Sequence, residues 1–269
     1  MARDDCLIGT EMTMKDKIVF ITGASSGIGT ACAHYFAKAG ARLLLCARRM
    51  DVLNNVVAQL QGEYGVEVHA FQLDVRQHAA VKEALKALPE KWKKVDVLVN
   101  NAGLAAGLET VQEGNIQDWE DMIDTNVKGL LYVTREILPL MVERNSGHII
   151  SIGSIAGHET YPKSAVYCAT KRAVNVLSQG LRLDLLGTKI RVSTVDPGAV
   201  ETNFSAVRFK GDAKRAAAVY EGMDALTPND VADAVLYCAT RPPHINISEV
   251  IIMPTDQASA TMVSRKGAK

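Results

Sequence analysis

The chain alternates between short apolar runs and longer stretches with helical periodicity. The apolar runs are Lys17–Thr22, Ala41–Ala47, Glu67–Leu73, Val95–Asn100, His148–Gly153, Lys189–Val195 and Ser248–Met253. Most are rich in valine, isoleucine and leucine with few polar interruptions, which suits strands buried on both faces. Helical patterns lie between them at Asp51–Glu63, Gln77–Leu88, Ile116–Arg144, Ala165–Leu186 and Pro228–Thr240. A further apolar face, Ala31, Ala33, Phe36 and Ala37, follows the first run and is stopped by Gly40. Strands alternating with helices predict an α/β fold, a doubly wound parallel sheet of Rossmann type with right-handed crossovers. Such a sheet binds ligands at the C-terminal ends of its strands, where strand order reverses. The expected organisation is a loose extension over residues 1–14 and a single domain over 15–269.

Composition narrows the partners. Lysine plus arginine equals aspartate plus glutamate at 30 each, a net charge of zero, which argues against nucleic acid. Five scattered cysteines show no metal spacing, and their odd number disfavours a disulfide framework. The six histidines show no ligand spacing either, so no metal is expected. No run reaches the roughly 18 apolar residues of a membrane span. The stretch Met1-Ala2-Arg3-Asp4-Asp5-Cys6 carries acids and lacks the apolar core of a signal peptide. A soluble, cytoplasmic protein is expected, with no membrane partner.

Three local patterns carry chemistry. Gly23-Ala24-Ser25-Ser26-Gly27-Ile28-Gly29 stands between the first strand and the first helix. Glycines there let the backbone approach a pyrophosphate, and the helix N-terminus offers free N–H groups to its charge. A tight turn packing helix on sheet would use the same residues. The second strand ends in Ala47, Arg48 and Arg49, where an NAD site would place an acid for the ribose 2′-hydroxyl. Without that acid, and with arginines able to clasp a 2′-phosphate, NADP is the expected cofactor. Finally, Tyr167 and Lys171 lie four apart on one predicted helix face, with Ser154 thirteen residues before the tyrosine. An ammonium beside the phenol favours phenolate and pulls its pKa of about 10 toward neutrality. Such a phenol can exchange a proton with an alcohol or carbonyl oxygen.

Together with Asp74-Val75, Asn100-Asn101-Ala102-Gly103, Asn126 and Pro197-Gly198-Ala199-Val200-Glu201-Thr202, these residues make the chain resemble the short-chain dehydrogenases/reductases. The resemblance runs from about Lys17 to the C-terminal region. It implies hydride transfer between a nicotinamide and a carbon bearing a hydroxyl or carbonyl. Tyr167 would move the proton, and Lys171 would tune it and bind the nicotinamide ribose. Ser154 would hold the substrate oxygen, and Asn126 would hold a water beside the lysine. Asp74 would accept from the adenine amino group, with the Val75 backbone beside it. Asn101, Ala102 and Gly103 would pass the riboses, and Pro197, Gly198, Val200 and Thr202 would hold the carboxamide. A homotetramer is also implied.

Val200–Ser205, Val207–Asp212 and Met253–Ser259 resemble, more narrowly, the NADP-dependent 3-hydroxy acid dehydrogenases, which oxidise serine and L-allo-threonine. His158, Tyr161, Phe204 and Arg208 fall in the segments expected to line the substrate pocket. Arg208 is the candidate for a substrate carboxylate, with Lys210 and His158 next. Two other readings stand beside this one: a carbonyl reductase of bulkier ketones or steroids, with a mostly apolar pocket, and a non-catalytic dinucleotide-binding sensor or scaffold.

Overall fold

The computed structural model describes residues 13–267. Seven strands form one parallel sheet: β1 (Ile18–Thr22), β2 (Arg42–Ala47), β3 (Val68–Gln72), β4 (Val97–Asn100), β5 (Gly147–Ile152), β6 (Ile190–Pro197) and β7 (Glu249–Ile252). Their order is β3-β2-β1-β4-β5-β6-β7, so the chain steps outward from β1 one way and from β4 the other. The reversal lies between β1 and β4, which pair through Val19–Val97, Phe20–Leu98 and Ile21–Val99. Two loops diverge there at the C-terminal edge and leave a crevice.

Both sheet faces are covered, which is why the central strands read as continuous apolar runs. On one face, helices α1 (Gly27–Lys38) and α2 (Met50–Tyr64) contribute Cys32, Phe36, Leu53 and Leu60 to a core around Val19, Ile21, Leu43 and Leu45. Helix α3 (His78–Lys86) covers the opposite face with Val81 and Leu85, packing near Phe20, Leu44 and Leu98. The expected Ile116–Arg144 helix forms, with a π-helical turn inside it. It comprises α4 (Ile116–Ile123), the π-helical turn (Asp124–Gly129) and α5 (Leu130–Glu143). The wider i→i+5 turn leaves the apolar period readable on both sides, so periodicity alone cannot detect it.

Helix α6 (Ala165–Asp184) carries the tyrosine–lysine pair, and short helices α7 (Phe204–Arg208) and α8 (Ala213–Ala218) follow β6. Helix α9 (Pro228–Thr240) starts with a Thr227/Asp230 capping box and proline in its first turn, and buries Val231, Val235 and Cys238 on the α1 side. Met14, at the inner end of the predicted extension, is buried, and its N–H donates to the Ala39 carbonyl at 2.7 Å. Residues 1–12 of that extension lie outside the described residues. Among the described residues, no helix is long and apolar enough to cross a membrane.

Candidate active site

A cleft of about 720 Å³ opens at the β1/β4 reversal and runs on beneath α7. The glycine turn forms one end. Gly23 has φ +66°, and a Cβ there would come within 3.0 Å of the Ala102 Cα, so glycine lets the turn lie against the loop after β4. Gly29 does not line the cleft. Its Cβ would stand 2.4 Å from the Gly23 carbonyl oxygen and 2.5 Å from Asn101 Nδ2, so it sets how closely α1 seats on the turn. Gly27 has φ +56°, and a Cβ there would meet Thr202 at van der Waals distance. Ser25, Ser26, Gly27 and Ile28 line this end. Ser26 caps α1 without a side-chain hydrogen bond, and the first turn holds no acid. The helix N-terminus thus presents backbone N–H groups and an uncompensated positive dipole end, the donor set a pyrophosphate requires.

Arg48 and Arg49 are exposed at the end of β2 and line the same end of the cleft. Among the described residues, neither makes an ion pair, which suits a phosphate-binding role. Asp74 and Val75 also line the cleft, but the Asp74 carboxylate already has a partner. Arg76, which the sequence reading did not single out, grips it through Nε at 3.0 Å and Nη2 at 2.7 Å and reaches Asp121 at 2.8 Å. Burial pushes the Asp74 pKa up, but the Arg76 hydrogen bonds and charge outweigh it and hold the group below its usual value. Asn101, Ala102 and Gly103 line the floor. The Asn101 amide donates to the Thr22 carbonyl at 2.8 Å, so its side chain ties β4 to the glycine turn.

The proposed reacting groups converge in the middle of the cleft. Ser154 Oγ accepts from the Ala156 N–H at 3.1 Å, capping a short 3₁₀ turn, and the Ser154 N–H donates to Asp196 Oδ1 at 3.1 Å. The serine is therefore both a cap and a cleft-lining hydroxyl. Tyr167 is 7% exposed, and its ring lies 5.8 Å from that of Phe204. Burial raises its pKa strongly; Tyr161 adds to the rise, while a hydrogen bond from Ser154 and the Arg208 charge oppose it. Lys171 Nζ donates to the Ile152 carbonyl at 2.9 Å, and its own pKa falls from 10.5 to about 8 because it is buried, with Asp196 opposing the fall.

Asn126 sits in the π-helical turn and does not line the cleft. Its Oδ1 accepts from the Leu104 N–H at 2.8 Å, and its Nδ2 donates to the Leu104 carbonyl at 2.8 Å and to Thr170 Oγ1 at 3.0 Å. The side chain thus pins the loop after β4 to α6, and both amide ends are engaged by the protein. A Cβ on Gly103 would lie 3.2 Å from Asn126 Oδ1 and 3.6 Å from Lys171 Nζ, so the asparagine and lysine approach one another behind that glycine.

Pro197, Gly198, Val200 and Thr202 form the opposite wall. What braces them carries no signal along the chain. The Tyr220 hydroxyl donates to the Val200 carbonyl at 2.8 Å and meets Ser205 Oγ at 2.8 Å, while Gln257 Oε1 accepts from the Ala199 N–H at 2.8 Å. Beyond them, Arg208 reaches the Gly107 carbonyl at 3.1 Å, the Tyr161 hydroxyl at 2.9 Å and Ser164 Oγ at 2.6 Å. Its guanidinium lies 5.6 Å from the Tyr167 ring centroid. Of the other expected pocket residues, Tyr161 and Phe204 line the cleft. His158 does not: it turns behind Ser154 toward Asp196, at 3.3 Å. Lys210 is taken by Asp118 at 2.9 Å.

The pattern describing the short chain dehydrogenases matches residues 17–213. The chain is 49% identical over 244 residues to the NADP-dependent 3-hydroxy acid dehydrogenase of Salmonella typhi, covering 90% of this chain and 97% of that one. It is 42% identical over 253 residues to the NADP-dependent 3-hydroxy acid dehydrogenase of Schizosaccharomyces pombe, covering 94% and 98%. Among solved structures, the closed form of a serine dehydrogenase complexed with NADP+ superposes with a TM-score of 0.87 at 46% identity, covering 93% of this chain and 99% of that one. The chain belongs to the short-chain dehydrogenase family.

Proposed function

We propose that this short-chain dehydrogenase uses NADP to oxidise small 3-hydroxy acids such as L-serine, L-allo-threonine or 3-hydroxypropionate. The observation that carries the reading is the placing of Arg208. Its guanidinium stands beside Tyr167 and Tyr161, hydrogen-bonded to a carbonyl and two hydroxyls. Among the described residues, no carboxylate pairs with it. A cation so held is matched to a substrate carboxylate. The relatives' NADP dependence agrees with Arg48 and Arg49 at the far end of the cleft.

Bound along this cleft, NADP would accept or supply the hydride and, when oxidised, bring a positive ring that favours the Tyr167 phenolate. The chain's own residues do the rest. Burial holds the proton on the Tyr167 oxygen, the form that protonates a developing alkoxide in reduction. In oxidation, the same oxygen takes the substrate hydroxyl proton. Ser154 donates to the substrate oxygen and stabilises charge gathering there. Lys171, anchored on Ile152, supplies a cation that favours phenolate and binds the ribose, while Asn126 fixes the Leu104 loop against α6.

The test follows reduced-nicotinamide absorbance in purified protein given L-serine or 3-hydroxypropionate. Turnover with NADP, and much less with NAD, is expected. No turnover of either acid, together with rapid reduction of bulky ketones by NADPH, would overturn the substrate class. A homotetramer is proposed on the exposed apolar side chains of α5 and α6, including Leu131, Val142, Val176 and Leu183, and light scattering tests it. A cytoplasmic location is proposed on the free thiols of Cys32, Cys46, Cys168 and Cys238, which suit a reducing compartment; cell fractionation checks it.

A further inference from the structure

Behind the catalytic serine, four elements bring one side chain each to a single point. His158 follows the 3₁₀ turn, Asp196 ends β6, Glu249 begins β7 and Asn175 lies on α6. His158 Nε2 is 3.3 Å from Asp196 Oδ2 and 3.7 Å from Glu249 Oε1, and the three atoms lie within 4.8 Å of one another. The Asn175 amide completes the ring, its Nδ2 placed 2.9 Å from His158 Nε2 and 3.4 Å from Glu249 Oε1.

The hydrogen bonding here does not close. Asp196 is fully buried, yet its Oδ2 has no hydrogen-bond donor, and the buried Asn175 Oδ1 has none either. If Nε2 accepts from the Asn175 amide, its lone pair shares the point with two carboxylates and nothing positive. If Nε2 is protonated, the Asn175 nitrogen at 2.9 Å opposes it as placed, and the amide has to turn its unpartnered oxygen inward. Orphaned buried acceptors cost stability, and a cation at their centre satisfies them together.

We propose that His158, Asp196, Glu249 and Asn175 form a divalent-cation site, and that Zn2+ is the ion it fits best. Nitrogen and oxygen ligands bind Zn2+ at about 2.0–2.2 Å, which places tetrahedral ligands roughly 3.3–3.6 Å apart. His158 Nε2 stands 3.3 Å from Asp196 Oδ2 and 3.7 Å from Glu249 Oε1, close to that range, with the two carboxylate oxygens within 4.8 Å of one another. An imidazole with two carboxylates selects a borderline ion over the harder Mg2+ or Ca2+. Rotating the Asn175 amide turns its oxygen inward as the fourth ligand. Glu249, partly exposed, gives the ion access from solvent. The ion is structural rather than catalytic. Asp196 would bind it through Oδ2 while Oδ1 holds the Ser154 N–H, fixing the serine loop to the β6–β7 edge.

Untagged full-length protein, stripped with chelator and desalted, is titrated with ZnCl2 by calorimetry, and Co2+ is added separately to read its visible absorption. One Zn2+ per chain and the bands of a four-coordinate Co2+ site are expected. His158→Ala and Glu249→Gln should each weaken binding at least about tenfold, with circular dichroism and NADP affinity as controls for folding. If His158→Ala does not fold, the partly exposed Glu249→Gln decides alone. Absence of saturable binding, or binding unchanged in Glu249→Gln, overturns the site and leaves the cluster an ordinary ion pair.

Discussion

Replacing Lys171 with methionine separates what the active site needs from what the fold prefers. The ammonium is buried, and its pKa is about 8 against 10.5 for an exposed lysine. The folded chain therefore holds this proton more weakly than the unfolded chain. Unfolding takes up a proton between those two values, so stability rises with pH across the window and the gain is lost as pH falls through about 8. At about 1.4 kcal/mol per unit, the change across the window is about 3 kcal/mol. Methionine keeps most of the volume and does not titrate. It strands the Ile152 carbonyl, which accepts from Nζ at 2.9 Å, at a cost of about 1–3 kcal/mol that does not depend on pH. Urea denaturation of both proteins without NADP, from about pH 7 to about pH 10.5, isolates the titrating part. The wild type should gain about 3 kcal/mol on the variant across that range. Near neutrality the two should be close in stability, although the variant turns nothing over. A difference independent of pH would refute the buried-ammonium reasoning, because every group other than Lys171 is shared.

Tyr167→Phe should abolish turnover while leaving NADP affinity within a few-fold, because the buried ring stays and only the proton-transfer oxygen goes; fluorescence titration and steady-state rates check this. Arg48→Ala should weaken NADP at least about tenfold and leave NAD nearly unchanged, since charged hydrogen bonds contribute about 1.5–3 kcal/mol. A small effect there with a large one in Arg49→Ala would move the phosphate contact to the neighbour. Arg208→Met should raise KM for a 3-hydroxy acid at least about tenfold and affect a neutral alcohol of similar size far less. Equal losses on both substrates would reduce Arg208 to a brace holding Gly107, Tyr161 and Ser164.

Much of this protein can be read from local pattern, because its sheet is buried on both faces and its strands therefore announce themselves as apolar runs. The strands lie within two residues of where the pattern ends them, and helix Pro228–Thr240 starts and stops where its period says. Gly23 and Gly29 carry their spacing in sequence for a steric reason visible in three dimensions. Ser154, Tyr167 and Lys171 were candidates by spacing alone, and the fold brings them to one cleft. The rest depends on contacts between distant segments. The π-helical turn at Asn126 leaves the apolar period intact, and only packing against Leu104 and Thr170 shows what the asparagine holds. The Arg76 grip on Asp74 and the Tyr220 brace on Val200 link groups whose sequence positions carry no signal of the pairing. The pKa values of Tyr167 and Lys171 follow burial, which a helix-face argument cannot supply. His158, Asp196 and Glu249 show no ligand spacing along the chain, because it is the sheet edge between β6 and β7, and not any local motif, that makes them neighbours.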